Sequence, residues 1–143
     1  MRIVDANILI YAYDSGTPNH QVCRKWLDAR LNGHRKVGMP WSSLLAFARI
    51  VANPRIYTEP VTVSEAWDQV TDWLSLEPVF IPQPAPDHQH ILGHIIKSSS
   101  ITANDLPDTH LAALAIEHGL ILCSTDSDFA KYRDIEWENP LAK

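Results

Sequence analysis

Along the chain, short apolar runs alternate with longer stretches in which apolar residues recur every three or four positions. The first pattern suits buried strands, the second helices that bury one face. Ile3-Val4 predicts a short strand, and "NILIYAY" a helix close behind it. Thr17-Pro18 reads as an N-cap followed by proline at the first helical position, opening a helix that closes at Asn32-Gly33. Within it Val22, Cys23, Trp26, Leu27 and Leu31 form one apolar stripe. "KVGMP" predicts a second strand, and "SSLLAFARIVA" a helix stopped by Asn53-Pro54. Thr62 and Glu65 match a capping box for a helix with Val63, Ala66, Trp67, Val70, Trp73 and Leu74 turned inward. "PVFIP" is a third strand, bounded by prolines. Asp87 to Lys97 predicts a helix with Ile91, Leu92, Ile95 and Ile96 on its apolar side, and "SSSITAND" a polar loop. Asp108 is then placed as the cap of "THLAALAIEH", which ends at the C′ glycine Gly119. "LILC" is the clearest buried strand, and "IEW" a candidate edge strand.

Strands alternating with helices predict an α/β fold around a mainly parallel sheet. At 143 residues the chain reads as a single domain over 1–143, large enough to bury a real core. Composition changes this picture little: 45% apolar and 20% charged residues are ordinary for a globular protein. Asp5 interrupts the first apolar run after two residues, so no signal peptide is expected. No apolar run approaches the roughly 20 residues of a membrane span. Cys23 and Cys123 give no disulfide framework, and two free, mostly buried thiols fit a cytoplasmic location.

Charge changes the picture more. The net charge of −5 hides an asymmetry, because Arg24, Lys25, Arg30, Arg35, Lys36, Arg49 and Arg55 lie in a segment opposed only by Asp28. Such a split predicts a basic surface beside an acidic site, against the plainer reading of scattered solvent-facing helix residues.

The acidic site is sought beyond the carboxyl ends of the parallel strands, where ligands bind in open α/β sheets. Asp5 follows the first strand and Asp126 follows "LILC"; Asp108 joins them if its helix begins at the same edge. Two carboxylates about 4 Å apart repel by about 4 kcal/mol at an effective dielectric near 20. A hard divalent cation reverses that repulsion, and magnesium or manganese, which favour oxygen ligands, are the natural choice. Each acid alone has a plainer reading: Asp108 and Asp126, like Ser124, are ordinary helix caps. Asp5 has no evident capping partner in the sequence. Their conjunction is the specific signal.

Taken together, "VDANILIYAY", "FARIVANPRIY", "PDTHLAALAIEHG", "STDSDF" and "WENPL" resemble the PIN-domain ribonucleases of the VapC toxin type over nearly the whole chain. The resemblance implies a three-layer α/β/α PIN-like domain, metal-dependent hydrolysis of RNA phosphodiesters with Mg2+ or Mn2+, a homodimer, and a cognate VapB-type antitoxin that blocks the site. By position, Asp5, Asp108 and Asp126 match the metal-binding acids, and Asp128 the additional acid of the last motif. Ser124 matches a hydroxyl residue that holds a water or steadies a carboxylate, and Asn7 a polar residue orienting Asp5 by a side-chain hydrogen bond. Ala46 stands where many members carry glutamate, so the central helix brings no acid. Arg49 and Arg55 are candidates for the RNA backbone, and Trp41, at a strand-to-helix junction, for stacking on a base.

The alternative function is a degenerate PIN-like module that binds RNA or antitoxin with little or no cleavage, motivated by Ala46. An aspartyl-phosphate phosphatase ranks last, since Asn7 stands where a second acid is needed. His88, His90 and His94 have metal-ligand spacing in part, but the metalloprotease glutamate is absent and a polar helix face is the reading taken. His110 reads equally as a substrate contact or a solvent-facing residue. The five dispersed glycines form no phosphate loop, and neither cysteine has a companion base, so P-loop and thiol chemistry are unsupported.

Overall fold

The computed structural model describes residues 1–142. Five strands form one sheet: β1 (Arg2–Val4), β2 (Val37–Gly38), β3 (Val79–Phe80), β4 (Ile121–Cys123) and β5 (Trp137–Glu138). Their order is β3-β2-β1-β4-β5, and every pairing is parallel. Six α-helices cover it: α1 (Ala6–Tyr13), α2 (His20–Leu31), α3 (Trp41–Val51), α4 (Val63–Leu74), α5 (His88–Ser98) and α6 (Leu106–His118). The α/β/α layering expected from the sequence is present.

Strand alternation builds the layers. Successive residues of a strand face opposite sides, so Val4 and Cys123 enter one core with Ile8, Leu9, Leu27, Leu44, Phe47, Val70 and Trp73 of α1 to α4. Ile3 and Leu122 enter the other, under Ile95 of α5 and Leu111 to Ala115 of α6. The register pairs Ile3 with Leu122 and Val4 with Cys123, so each face receives matched apolar side chains. Strands of two or three residues suffice because both faces of the sheet are covered.

Several local signals act as expected. Thr62 and Glu65 form the capping box of α4, and Gly119 ends α6 at φ 63°. Gly38 has a packing reason, since a Cβ there would lie 2.7 Å from Pro82 Cγ. Others differ. α2 starts at His20, because the Thr17 hydroxyl donates to the Asp14 carbonyl and leaves Thr17-Pro18 in the turn ahead of it. Val22 and Val63 face solvent, and Trp67 is exposed while stacked on Trp41 with 6.2 Å between ring centroids. α6 starts at Leu106 with Pro107 next, so Asp108 lies inside its first turn and does not cap it. The segment "SSSITAND" is not all loop: Thr102 and Asp105 build a capping box around a 3-10 turn.

Phe47 is fully buried and meets Tyr13 and Trp73 edge-on, with ring centroids 5.3 and 4.9 Å away. Phe47→Ala is therefore expected to lower unfolding stability by about 3–5 kcal/mol. Urea denaturation should show an earlier midpoint with an unchanged slope.

Candidate active site

The β1–β4 pairing continues one step past both strands. Val4 is opposite Cys123, and the Asp5 amide donates to the Cys123 carbonyl at 2.9 Å. Asp5 and Ser124, the next residue of each strand, are thereby brought side by side. The Ser124 hydroxyl is fully buried and donates to Asp5 Oδ2 at 2.7 Å. It accepts from Asn7 Nδ2 at 3.0 Å and from the Asp126 amide at 3.1 Å. Asn7 Oδ1 in turn accepts from the Thr125 amide at 3.3 Å, and Trp137 Nε1 donates to the Ser124 carbonyl at 3.0 Å. One hydroxyl thus joins β1, α1 and the loop after β4.

Asp5 is also the N-cap of α1, its Oδ1 accepting from the Ala6 amide at 2.8 Å. This corrects the reading that Asp5 lacks a capping partner: an aspartate directly ahead of a helix is a preferred N-cap, and here it caps through the amide of the next residue. Asn7 does not bond Asp5, contrary to expectation, but reaches it only through Ser124. Asp126 caps a 3-10 turn over Ser127–Lys131 by accepting from the Asp128 amide at 2.9 Å, while Asp128 itself is exposed.

α6 runs back from the carboxyl edge of the sheet to feed β4 through Gly119, which puts its first turn, and Asp108, at the edge of Asp5 and Asp126. The electrostatics agree with that placement. Burial, then the charges of Asp5, Asp126, Asp105 and Asp128, push the Asp108 carboxyl up to about 6. Burial raises Asp5 as well, opposed by its bonds from Ser124 and Ala6 and reinforced by Asp126. Asp105 is an acid that sequence reasoning missed, although Thr102-x-x-Asp105 carries a capping signature. The Thr102 amide and Lys131, 2.9 Å away, hold it down to about 2. Among the described residues no basic group pairs with Asp5, Asp108 or Asp126.

Do these residues fit a cation? No three His, Cys, Asp or Glu side chains among the described residues stand close enough to form a finished metal cage. Magnesium-type ions do not require one, since they keep several waters and take one or two carboxylates directly. Oxygen donors that repel one another and lack a cationic partner are the donor set such an ion favours. The residues fit.

Among the remaining candidates, Trp41 is exposed at the start of α3, on the carboxyl edge reached by β2. Arg49, in the last turn of α3, and Arg55 are exposed. Ala46 is half-buried, and α3 brings no acid. The histidines separate: His90 and His94 face solvent, but His88 is half-buried between Glu117, which its Nδ1 meets, and His110 Nδ1, 3.2 Å from its Nε2. His110 therefore packs across α5 and is not a free surface residue.

The geometry defines a parallel α/β/α domain with an uncompensated acidic cluster at its carboxyl edge, a form suited to metal-assisted phosphoryl chemistry. The PIN domain family matches residues 2–135. Ribonuclease VapC37 of Mycobacterium tuberculosis is 37% identical over 142 residues, covering 99% of each chain, and Ribonuclease VapC33 of the same organism is 32% identical over 141 residues, again covering 99% of each. The fold is that of VapBC2 from Rickettsia felis, bound to a promoter DNA fragment, with a TM-score of 0.70 at 15% identity, covering 96% of this chain and 97% of that one. The chain belongs to the PIN-domain family and, within it, to the VapC ribonucleases.

Because the folded state raises Asp108, its ionisation costs stability in the metal-free protein. The cost is absent below about pH 4, the ordinary carboxyl range, grows as pH rises, and is complete above about 6. Asp108→Asn should therefore melt higher than wild type in EDTA at neutral pH. The gap should close as pH falls through 6 to 4, in thermal melts across that range.

Proposed function

We propose that this protein is the toxin of a VapBC-type pair, an endoribonuclease that hydrolyses RNA phosphodiester bonds with Mg2+ or Mn2+. The observation carrying this reading is the convergence of Asp5, Asp108 and Asp126 without a cationic partner, in a chain of the VapC family. Asp5 and Asp108 would hold the ion directly and Asp126 through water. When bound, a divalent ion lowers the pKa of a water and neutralises charge on the reacting phosphate. Ser124 fixes the Asp5 carboxylate, leaving a lone pair on each oxygen for a further ligand. Asn7 keeps the Ser124 hydroxyl pointed at Asp5 by donating to its oxygen from the other side. Asp128 tethers Asp126 through its amide and adds negative charge at the mouth of the site. Trp41 is the candidate for stacking on a base, and Arg49 and Arg55 for the RNA backbone.

The cognate partner in this reading is a VapB-type antitoxin. Known proteins of similar fold include a toxin–antitoxin complex from Klebsiella pneumoniae and VapBC-1 from nontypeable Haemophilus influenzae. A basic antitoxin side chain would neutralise the same carboxylates that a metal does. A homodimer in the cytoplasm is the expected setting. Ala46 favours one firmly held metal over two. The degenerate binding module loses ground, because Asp5, Asp108 and Asp126 are all present and Ser124 bonds Asp5 and the Asp126 amide.

Asp5→Asn is the test. Mg2+- or Mn2+-dependent cleavage of single-stranded RNA should fall at least about 100-fold, as several kcal/mol of charge stabilisation are removed. The rise in melting temperature on adding Mn2+ should shrink with it. Cleavage that survives both EDTA and this substitution would falsify the assignment.

A further inference from the structure

The basic segment expected from the sequence does not spread evenly over the surface. At the amino edge of the sheet, opposite the acids, Arg30, His34, Arg35 and Lys36 line a cleft of about 210 Å³ with Arg2 at the start of β1. Among the described residues, no acidic side chain lines it. Arg2 is held by Glu138 at 3.2 Å, but Arg30, Arg35 and Lys36 have no ionic partner among the described residues. Arg30 carries the sharper signal: its Nε is buried without a hydrogen-bond partner, while its guanidinium lies 5.8 Å from the Trp26 ring centroid. That N–H is closed to solvent, so an anion in the cleft would meet the part of the Arg30 side chain that lines it, whose charge no acid among the described residues neutralises.

A plainer explanation is that these cations complement the carboxyl end of the α2 dipole. Arg30 alone serves that purpose, being the basic residue of the last turn. Two of the terminal carbonyls are already satisfied, that of Asp28 by the Asn32 side chain at 2.9 Å and that of Arg30 by the Gly33 amide at 3.2 Å. Arg35, Lys36 and the cleft remain unexplained.

We infer that this cleft is an anchoring site for the phosphate backbone of RNA, several nucleotides removed from the bond that is cut. The inference rests on the ribonuclease reading for the identity of the polyanion. A substrate of that charge is repelled by the carboxylates, and a protein of net charge −5 needs a local positive surface to hold it. The strands are at most three residues long, so the two edges of the sheet are roughly 10 Å apart along a strand at about 3.3 Å per residue. A single strand of a few nucleotides bridges them. Arginine forks suit phosphate oxygens, and interactions of this kind position RNA without reading its bases.

The test is binding of a fluorescently labelled single-stranded RNA in EDTA, where cleavage is off, measured against salt for Arg35→Gln/Lys36→Gln. Both side chains are exposed, so the fold should tolerate the change, and a melt checks it. The slope of log affinity against log salt should fall by about 0.7 for each phosphate that the variant no longer neutralises. Lys97→Gln/Arg133→Gln, an equal loss of charge from exposed positions elsewhere, should change it far less. Arg30→Gln should weaken binding in the same direction. Equal effects from the two double variants would mean that net charge alone matters and would overturn the site. So would RNA affinity that stays at the wild-type level while binding of a polyglutamate peptide is lost. Wild-type protein that binds RNA with the expected salt slopes yet never cuts it with Mg2+ or Mn2+ would sink the catalytic reading and leave this one standing.

Discussion

The parallel register between β1 and β4 is the constraint on which the site depends. Pairing Val4 with Cys123 does two things at once. It sends Ile3 and Leu122 to one core and Val4 and Cys123 to the other, and it sets Asp5 against Ser124 at the sheet edge. A slip of one residue would turn apolar side chains to the wrong layer on both faces. The energetics of core packing therefore hold the carboxylate in place. The Ser124 hydroxyl needs no separate device, because the sheet supplies its position.

Ser124 shows how a crowded acidic edge is made tolerable. Its hydroxyl has one proton and two lone pairs, and all are used: one donation to Asp5 and two acceptances, from Asn7 and the Asp126 amide. Asp5 and Asp126 each commit an oxygen to a backbone amide as well. The bonds from Ser124 and Ala6 favour the charged form of Asp5 and partly offset its burial. Asp108 receives no such help; burial and neighbouring charges alone act on it, which is why it stands at about 6. The network gives two of the acids hydrogen-bond donors and leaves Asp108 without one among the described residues. Asp105 is kept ionised by Thr102 and Lys131, so it adds field at the edge without competing for a proton near neutrality.

Much of this was legible in the sequence, for physical reasons that differ by element. Periodicity located every strand and α-helix, since each buries a stripe or a face. The capping box at Thr62 and the glycine at 119 carry their geometry in a few residues. Where local signals competed, the sequence misled: Thr17-Pro18 has the residues of a helix start, but the Thr17 hydroxyl turns back to Asp14. Asp108 has the residue type of a cap ahead of an apolar-rich run, but the helix begins two residues earlier, with Pro107 in its first turn, where proline is tolerated. Asp5, Asp108 and Asp126 could be nominated from sequence, yet their support could not. The bonds joining Ser124 to Asp5, Asn7 and Trp137 depend on the sheet pairing and on β5, which no local pattern encodes. Val22 and Trp67 fell on apolar stripes but face solvent, because a stripe wider than the available core leaves its margin exposed.

Ala46 makes the distribution of charge consequential. With no acid from α3, the negative field at the carboxyl edge comes from β1, the loop after β4, and the start of α6, all on the β1–β4 side of the sheet. The cations of α2 and the turn into β2 lie at the amino edge on the β1–β2 side. Opposite charge is thus separated across a sheet only three residues deep, with Arg2 opening the central strand β1 at one end and Asp5 following it at the other. Glu138 clamps Arg2 and accepts from Trp26 at 2.7 Å, so edge strand β5 is tied to β1 and α2 by the same carboxylate. That tie fixes both ends together: β5 holds Ser124 from its Trp137 and Arg2 from its Glu138. A polyanion drawn to the basic edge would meet the acidic edge in a fixed relation, because one short strand joins Arg2 to Asp5.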